Sequence, residues 1–236
     1  MRFVHLLLLG LMATRSLAAT AELSAGSLVA RVEAEPWRLR FVDAAGRDVL
    51  TGVGGPSGAP GFRTDAGWAR ATRAIETAKT RDRLTAVVET DDAQGRRLAV
   101  GVAVDAEGVL AVTIGIVGGP TSDVIALGAA FEARPEERFF GFGERANGLD
   151  HRGDVVENYV SDGPYQEDER GVAAVLIPKP GFRARDDATY FPVPWLLSSR
   201  GVGVLVDNPE VSYFRLGVDE AQPPWLGLDA RDQAAG

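Results

Sequence analysis

Residues 98–117, "LAVGVAVDAEGVLAVTIGIV", decide the fold class because large aliphatic side chains occupy every second position in two separate runs. The first run covers positions 98 to 104 and the second covers positions 110 to 116. A period of two with many β-branched residues is typical of strands that place one face on a core. Between the runs, "DAEG" (105–108) is typical of a turn. The stretch therefore predicts two neighbouring antiparallel strands.

The same alternation recurs elsewhere, as in "GVGVLVD" (201–207), and turn-forming segments separate the runs. These segments are "DAAGRD" (43–48), "DDAQGRR" (91–97) and "SSRG" (198–201). Only "ATRAIETAKTRDRL" (71–84) would tolerate a helix, and its strand neighbours on both sides favour a strand. We therefore predict an all-β fold, an antiparallel β-sandwich or barrel, in one domain.

The composition excludes several classes of protein. The 236 residues are 45% hydrophobic and carry a net charge of −8, which argues against nucleic acid and anionic membranes as partners. The chain has no cysteine, so it has no disulfide, thiol nucleophile or cysteine metal site. His5 lies in the N-terminal apolar segment, which leaves His151 as the one remaining histidine. In "LDHRGD" we expect His151 to be a solvated loop residue.

The N-terminus is predicted to be a cleaved signal peptide of residues 1–19. Arg2 precedes an apolar centre, "LLLLGLMA", and the small residues of "SLAATA" offer cleavage sites. The apolar segment is shorter than the roughly 20 residues that a transmembrane helix needs. A retained N-terminal anchor is the alternative, and Arg15 favours it. After cleavage we expect residues 20–236 to be secreted or periplasmic, without a stable membrane span.

Two further segments carry a family resemblance. "ERFFGFGERANGLDHRGDVVENYVSDGPY" (137–165) joins a Phe-Gly strand to a G-x-G-E-R turn, a "D-x-R-G" and an "S-D" loop. "ATYFPVPWLLSSRGVGVLVDN" (188–208) then leads from Tyr-Phe-Pro into a strand ending in "D-N". Together these elements resemble the N-terminal domain of glycoside hydrolase family 31, which includes α-glucosidases, α-xylosidases and sulfoquinovosidases. We expect the phenylalanines to anchor the strand, the glycines to allow the turn, and Glu144 with Arg145 to form a structural pair.

The resemblance implies a galactose-mutarotase-like supersandwich that precedes a catalytic (β/α)8 barrel. In this family both catalytic carboxylates come from the barrel, and a retaining glycosidase needs them ~5–5.5 Å apart. This chain has neither the nucleophile motif nor a strand–helix alternation, so the barrel is missing and residues 20–236 read as a truncated N-terminal domain. We expect no catalytic residue, metal or cofactor here. The acidic runs at 136–137, 167–169 and 186–187 are predicted to be surface charge.

The resemblance also implies a substrate-binding loop. The loop after the G-x-G-E-R turn reaches over the barrel mouth in this family, and here its sequence is "NYVSDGPY" (158–165). Asp162 is then the acceptor of sugar hydroxyls, and Tyr159 and Tyr165 line the pocket. The alternative is that Asp162 caps the turn before Gly163. The implied partners are an α-linked sugar or oligosaccharide and the catalytic barrel, and the sequence leaves oligomers open.

Two other functions compete with this interpretation. A free-standing carbohydrate-binding β-sandwich would use tryptophans as stacking platforms, with Trp37, Trp68, Trp195 and Trp225 as candidates. We expect Trp195, in "PVPWLL", to pack inward instead. A mutarotase-type enzyme would need a histidine and an acid in one groove, for which His151 alone is available. The sequence favours the domain of a secreted α-glycosidase, inactive when isolated.

Overall fold

The computed structural model describes residues 20–54, 60–160 and 189–217, together with the backbone of 225–231. Within these ranges the chain forms sixteen strands and no helix. The strands are β1 (Thr20–Ala25), β2 (Leu28–Glu33), β3 (Arg38–Asp43), β4 (Asp48–Thr51), β5 (Gly61–Thr64), β6 (Gly67–Lys79), β7 (Arg83–Thr90), β8 (Arg97–Ala106), β9 (Val109–Val117), β10 (Ala126–Glu132), β11 (Phe139–Gly143), β12 (Val155–Asn158), β13 (Pro192–Ser198), β14 (Val202–Leu205), β15 (Val211–Leu216) and β16 (Trp225–Arg231).

The strands form three antiparallel sheets. The first has the order β1-β2-β3-β4, and the second has the order β12-β15-β16-β10-β5-β6-β7-β8-β9. The first sheet packs on the second, with β1 against β7 and β8 and β4 against β10. A third, three-stranded sheet has the order β11-β13-β14. The all-β antiparallel prediction is thus confirmed.

The core lies between the first two sheets, and the period of two in the sequence explains which side chains enter it. In β7 and β8 every second residue is buried, while the residues between them are partly exposed. The buried side chains are Leu84, Ala86, Val88, Leu98, Val100 and Val102. The first sheet adds Ala30, Val32, Leu39 and Phe41. Residues 71–79 and 83–84 are strand, as predicted, and belong to β6 and β7, with residues 80–82 connecting the two strands.

A buried arginine fixes the turn between β7 and β8. The Arg96 guanidinium donates from Nε to Asp92 Oδ2 (2.9 Å) and from Nη1 to Asp123 Oδ1 (2.6 Å). It also lies 4.7 Å from the ring centroid of Phe62. The hydrogen bonds from Arg96 hold the pKa of Asp92 below its usual value, and those to Asp92 raise the pKa of Arg96. Arg96 therefore has a structural role, because the carboxylates of Asp92 and Asp123 balance its positive charge.

The described residues contain no helix that is long and apolar enough to cross a membrane.

Candidate functional site

The G-F-G turn at the end of β11 needs glycine for two reasons. Gly141 and Gly143 have φ of 109° and 80°, a region that side chains with a Cβ rarely adopt. A Cβ on Gly141 would also overlap the carbonyl oxygen of Trp195, and one on Gly143 would overlap that of Phe191. The register of β11 against β13 shifts between these two glycines, which is a β-bulge. The glycines thus let β11 bend while it stays in contact with β13.

Phe142 lies inside this turn at φ 67°, the one described non-glycine residue with positive φ. Its ring is fully buried and meets Phe214 edge-on, at a centroid separation of 4.9 Å. A second edge contact, at 5.4 Å, joins Phe142 to His151. A side chain held at positive φ costs about 1–3 kcal/mol and persists only where packing over-determines it. The two ring contacts supply that packing, so the prediction that this strand is anchored by phenylalanine is confirmed for Phe142.

The prediction that His151 is solvated is wrong. Its exposed fraction is 1%, its backbone N–H donates to Phe139 O (2.8 Å), and its Nδ1 lies 3.0 Å from Asp154 Oδ2. Asp154 Oδ2 also accepts a hydrogen bond from Asn147 (3.2 Å). The polar segment 144–154 folds back on β11 instead of extending into water. The carboxylate of Asp154, three residues along the chain, offsets the free-energy cost of burying the imidazole.

Arg145 connects the turn to the end of β12. Its Nε donates to Phe142 O (3.2 Å), and its Nη2 donates to Glu157 O and Asn158 Oδ1 (both 3.2 Å). Glu144 is exposed, and its backbone N–H donates to Phe191 O (3.2 Å). Arg145 therefore has a structural role, because it binds a backbone oxygen three residues before it and backbone and amide oxygens twelve and thirteen residues after it.

The end of β12 is where the predicted substrate loop begins. Tyr159 follows Asn158 directly and is exposed, as is Val160. Tyr213 Oη donates to Glu157 Oε1 (2.8 Å), which ties this end of β12 to β15. Asp162 and Tyr165 lie outside the described residues. Of the three predicted substrate-binding residues, the structure therefore places Tyr159 alone, at the surface and next to residues that Arg145 holds.

One predicted surface carboxylate is buried. Glu137 accepts hydrogen bonds from Ser198 Oγ and from the backbone N–H of Arg134 (3.0 Å), and the Arg200 guanidinium lies 3.8 Å away. Glu137 thus joins the start of β11 to the β13–β14 turn, so the surface-charge prediction is wrong for this residue. Glu136 is exposed as predicted. The acidic runs at 167–169 and 186–187 lie outside the described residues.

The three-stranded sheet has an apolar face that none of the described residues covers. The buried residues of β13 are Leu196 and Ser198, so the odd-numbered residues of this strand point to the opposite side. The exposed side chains there are Phe191, Val193, Trp195 and Leu197, with Leu205 of β14 directly across from Trp195. We call these five residues the apolar face. The prediction that Trp195 packs inward is wrong, since its side chain is 38% exposed. Every residue of "FPVPWLL" is apolar, so the sequence does not show which of them face the core.

Comparison with known proteins identifies the family. The family model for the glycosyl hydrolase 31 N-terminal galactose mutarotase-like domain matches residues 15–214. The chain belongs to this family. The resemblance and the galactose-mutarotase-like fold predicted from the sequence are both confirmed.

Relatives of the family 31 domain are much longer enzymes. An isomaltosyltransferase of Sporosarcina globispora is 30% identical over 105 residues, which is 44% of this chain and 8% of that protein. A sulfoquinovosidase of E. rectale, solved with an aza-sugar inhibitor, matches 86% of this chain and 30% of its own with a TM-score of 0.52 at 12% identity. A cycloalternan-forming enzyme of Listeria monocytogenes matches 92% of this chain and 19% of its own, with a TM-score of 0.37 at 18% identity. The chain spans less than a third of each.

The tryptophans of the family 31 domain differ in their suitability for stacking on a sugar. Trp37 is buried, which removes it as a platform. Trp68 is half-buried, and the Arg70 guanidinium covers its ring at 4.0 Å from the centroid. Trp195 rests over Gly203, where a Cβ would come within 2.7 Å of the indole. The Trp225 side chain lies outside the description. Trp195 is thus the described tryptophan with an open ring face.

No group of three or more His, Asp or Glu side chains in the described ranges is arranged to hold a metal ion. The polar groups near the turn are paired with one another, as Asp150 shows by accepting from the backbone N–H groups of Phe139 (3.2 Å) and Arg152 (3.1 Å). This arrangement fixes the positions of backbone segments.

Proposed function

We propose that the chain is the N-terminal domain of a secreted retaining α-glycosidase, packs on the catalytic barrel and lends a loop to the substrate pocket. The observation that carries the proposal is the apolar face, which adjoins the turn that holds the end of β12. The position of the apolar face supports a catalytic domain docked on it and a substrate loop beside that domain. The family supports the same role, since the matching domain is the N-terminal domain of glycosyl hydrolases.

The apolar face favours a protein partner over water. Full burial of a valine, leucine or phenylalanine side chain stabilises a complex by roughly 1.5–3 kcal/mol. Five such side chains on one small sheet are more than scattered surface hydrophobics, and contiguous patches of this kind mark interaction sites. The catalytic barrel is the partner that the family supplies. With the apolar face docked on the barrel, Tyr159 and the loop that follows it would lie at the barrel mouth.

A pair of variants in the complete enzyme tests the docking. Val193→Asp places a charge on the apolar face, where the side chain is 44% exposed. Val155→Asp is the matched control, because it is 48% exposed on β12 in another sheet. We expect Val193→Asp to lower activity and to allow limited proteolysis to release this domain, while the control behaves like the wild type. Equal behaviour of the two variants would contradict docking through this face.

Within the loop, we assign Asp162 as the acceptor of sugar hydroxyls, with Tyr159 and Tyr165 as pocket walls. An ionised carboxylate accepts two hydrogen bonds from neighbouring hydroxyls, and Gly163–Pro164 stiffens the turn behind it. In the complete enzyme, Asp162→Asn should lower kcat/KM by about 10-fold, or ~1.4 kcal/mol, with little change in Tm. Unchanged kinetics with a lower Tm would instead assign Asp162 to capping its turn.

The chain alone is proposed to be inactive, because the family's two catalytic carboxylates belong to the barrel. The purified chain should release no product from any aryl α-glycoside, whereas the complete enzyme should hydrolyse at least one. Turnover by the rigorously purified chain would overturn this assignment.

The exposed Trp195 supports a second candidate, a free-standing carbohydrate-binding module. The Trp195 indole rests on Gly203 and is 38% exposed, so part of its ring is available to the apolar face of a sugar. Calorimetric titration of the chain with isomaltose and maltose oligosaccharides separates the candidates. Binding that is lost in Trp195→Ala would favour the module. Absence of binding, with docking of the catalytic domain, would favour the main proposal.

A further inference from the structure

Strand β9 is an unusual edge. It ends the nine-stranded sheet and pairs with β8 alone among the described strands. Its nine residues, "VLAVTIGIV", include no charged residue and no proline, although a quarter of the whole chain is charged. Leu110, Ile114 and Ile116 pack on the core. Val112 lies on that same side by alternation and is still 40% exposed, at an edge beyond which no described strand lies.

An edge of this kind is normally protected. A free strand edge offers unpaired backbone N–H and C=O groups, and proteins blunt it with charges, prolines, bulges or short strands. The other edge of the same sheet follows this rule, since β12 has four residues and carries Glu157. Strand β9 is more than twice as long and has no charge or proline, and the one irregularity in its ladder with β8 lies at its first two residues, opposite Val104 and Ala106. It is therefore suited to receive another strand.

We propose that β9 pairs with β9 of a second copy of this chain, antiparallel and across a twofold axis at Thr113. This register pairs all nine residues. It sets Thr113 opposite Thr113, Val112 opposite Ile114 and Val109 opposite Val117 of the second copy. The exposed Val112 is then covered, and the two nine-stranded sheets become one continuous sheet.

The lack of charge on β9 explains why two copies of the chain would meet at this strand rather than through a charged surface. Each copy carries a net charge of −8, so most surfaces repel one another. The β9 strip carries no charge and avoids that repulsion. Beyond the strip, the same register sets Glu107 opposite Gly119 and Asp105 opposite Thr121, so no acid faces an acid. A pairing with like charges directly opposite would be destabilised.

Sedimentation equilibrium of the full chain tests the proposal, with a dimer mass as the expected result. Val112→Lys sets two cations near the axis and should raise the dissociation constant by about 100-fold or more. Val155→Lys, on the opposite edge strand, is the control and should leave the dimer unchanged. Circular dichroism and Tm establish that each variant is folded. A wild-type chain that remains monomeric at the highest soluble concentration would overturn the proposal.

Engineered cysteines test the register without disturbing the edge, since the chain has no cysteine of its own. Thr113→Cys should form a disulfide-linked dimer on mild oxidation, because residues across the axis lie within the 4.4–6.8 Å Cα separation that a disulfide needs. Val109→Cys alone should not, because its two copies would be about 26 Å apart at ~3.3 Å per residue. The double variant Val109→Cys/Val117→Cys should link again. Equal linking by Thr113→Cys and Val109→Cys would refute the register and the pairing.

Discussion

Replacing Gly143 by alanine measures how closely β11 and β13 must approach at the turn. Gly143 has φ 80°, and an alanine Cβ there would overlap the carbonyl oxygen of Phe191 and lie 3.0 Å from the backbone nitrogen of Val193. Both obstacles are backbone atoms, so no side-chain rotation relieves them. The strands must separate, and the hydrogen bond from Glu144 N–H to Phe191 O (3.2 Å) is stretched or lost.

The expected loss of stability follows from two contributions. A left-handed conformation costs an alanine roughly 1–2 kcal/mol. Loss of the hydrogen bond and displacement of the strand pair add about 1–3 kcal/mol, because a backbone hydrogen bond and part of the contact between β11 and β13 are lost. The sum predicts that Gly143→Ala lowers the free energy of unfolding by about 3 kcal/mol. With a urea m-value of about 2–3 kcal/mol/M, the unfolding midpoint falls by roughly 1 M.

Gly201→Ala is the matched control. Gly201 has φ 79°, almost the same conformation, and nothing lies within 4 Å of the position its Cβ would take. It should therefore lose only the conformational contribution of roughly 1–2 kcal/mol. Urea unfolding monitored by tryptophan fluorescence gives both values. Equal losses for the two variants would refute the argument that close approach, rather than φ alone, demands glycine at position 143.

Three further predictions address other parts of the chain. His151→Leu should lower the free energy of unfolding by about 1–3 kcal/mol, measured in urea, since it removes the buried partner of a carboxylate; an unchanged midpoint would contradict this. Asp92→Asn should destabilise the fold at pH 7, and the difference from wild type should shrink as the pH falls below about 4, because the pKa of Asp92 is lowered in the folded state by Arg96; a difference that is constant from pH 7 to pH 2 would contradict it. Mass spectrometry of the exported protein should find an N-terminus within residues 19–22, and Met1 retained in the membrane fraction would contradict signal cleavage.

The all-β fold was predictable because a strand that packs one face on a core shows a period of two in its own short sequence. Alternation in 98–117 depends on neighbouring residues alone, and it identified the core residues of β8 correctly. In 71–84, where propensity was ambiguous, the neighbouring strands on both sides favoured a strand. The family motifs added what local pattern lacks, namely that the G-F-G segment is a turn held against another strand. The functions of Asp162 and Tyr165 remain predictions, since these residues lie outside the described ranges.

The errors share one physical cause, which is that burial of a polar or aromatic group depends on how the folded chain packs around it, and the local pattern does not record this packing. Glu137 is buried because Ser198, 61 residues later, donates to it. Trp195 is exposed because Leu196 takes the core position in a run where every residue is apolar. His151 is buried because its loop folds back on β11, and "LDHRGD" is as polar as any solvated loop. No local pattern separates these outcomes.

The turn after β11 joins the two surfaces on which the proposed function depends. Phe191 begins the apolar face, and its carbonyl oxygen accepts the Glu144 N–H that follows the turn. One residue later, Arg145 holds Asn158, which directly precedes Tyr159. Backbone and guanidinium contacts thus link the apolar face to Tyr159, where the proposed substrate loop begins. A catalytic domain seated on the apolar face would receive that loop in a fixed position. Under the proposed function, this is the physical reason for glycines at 141 and 143: they bring the two surfaces together.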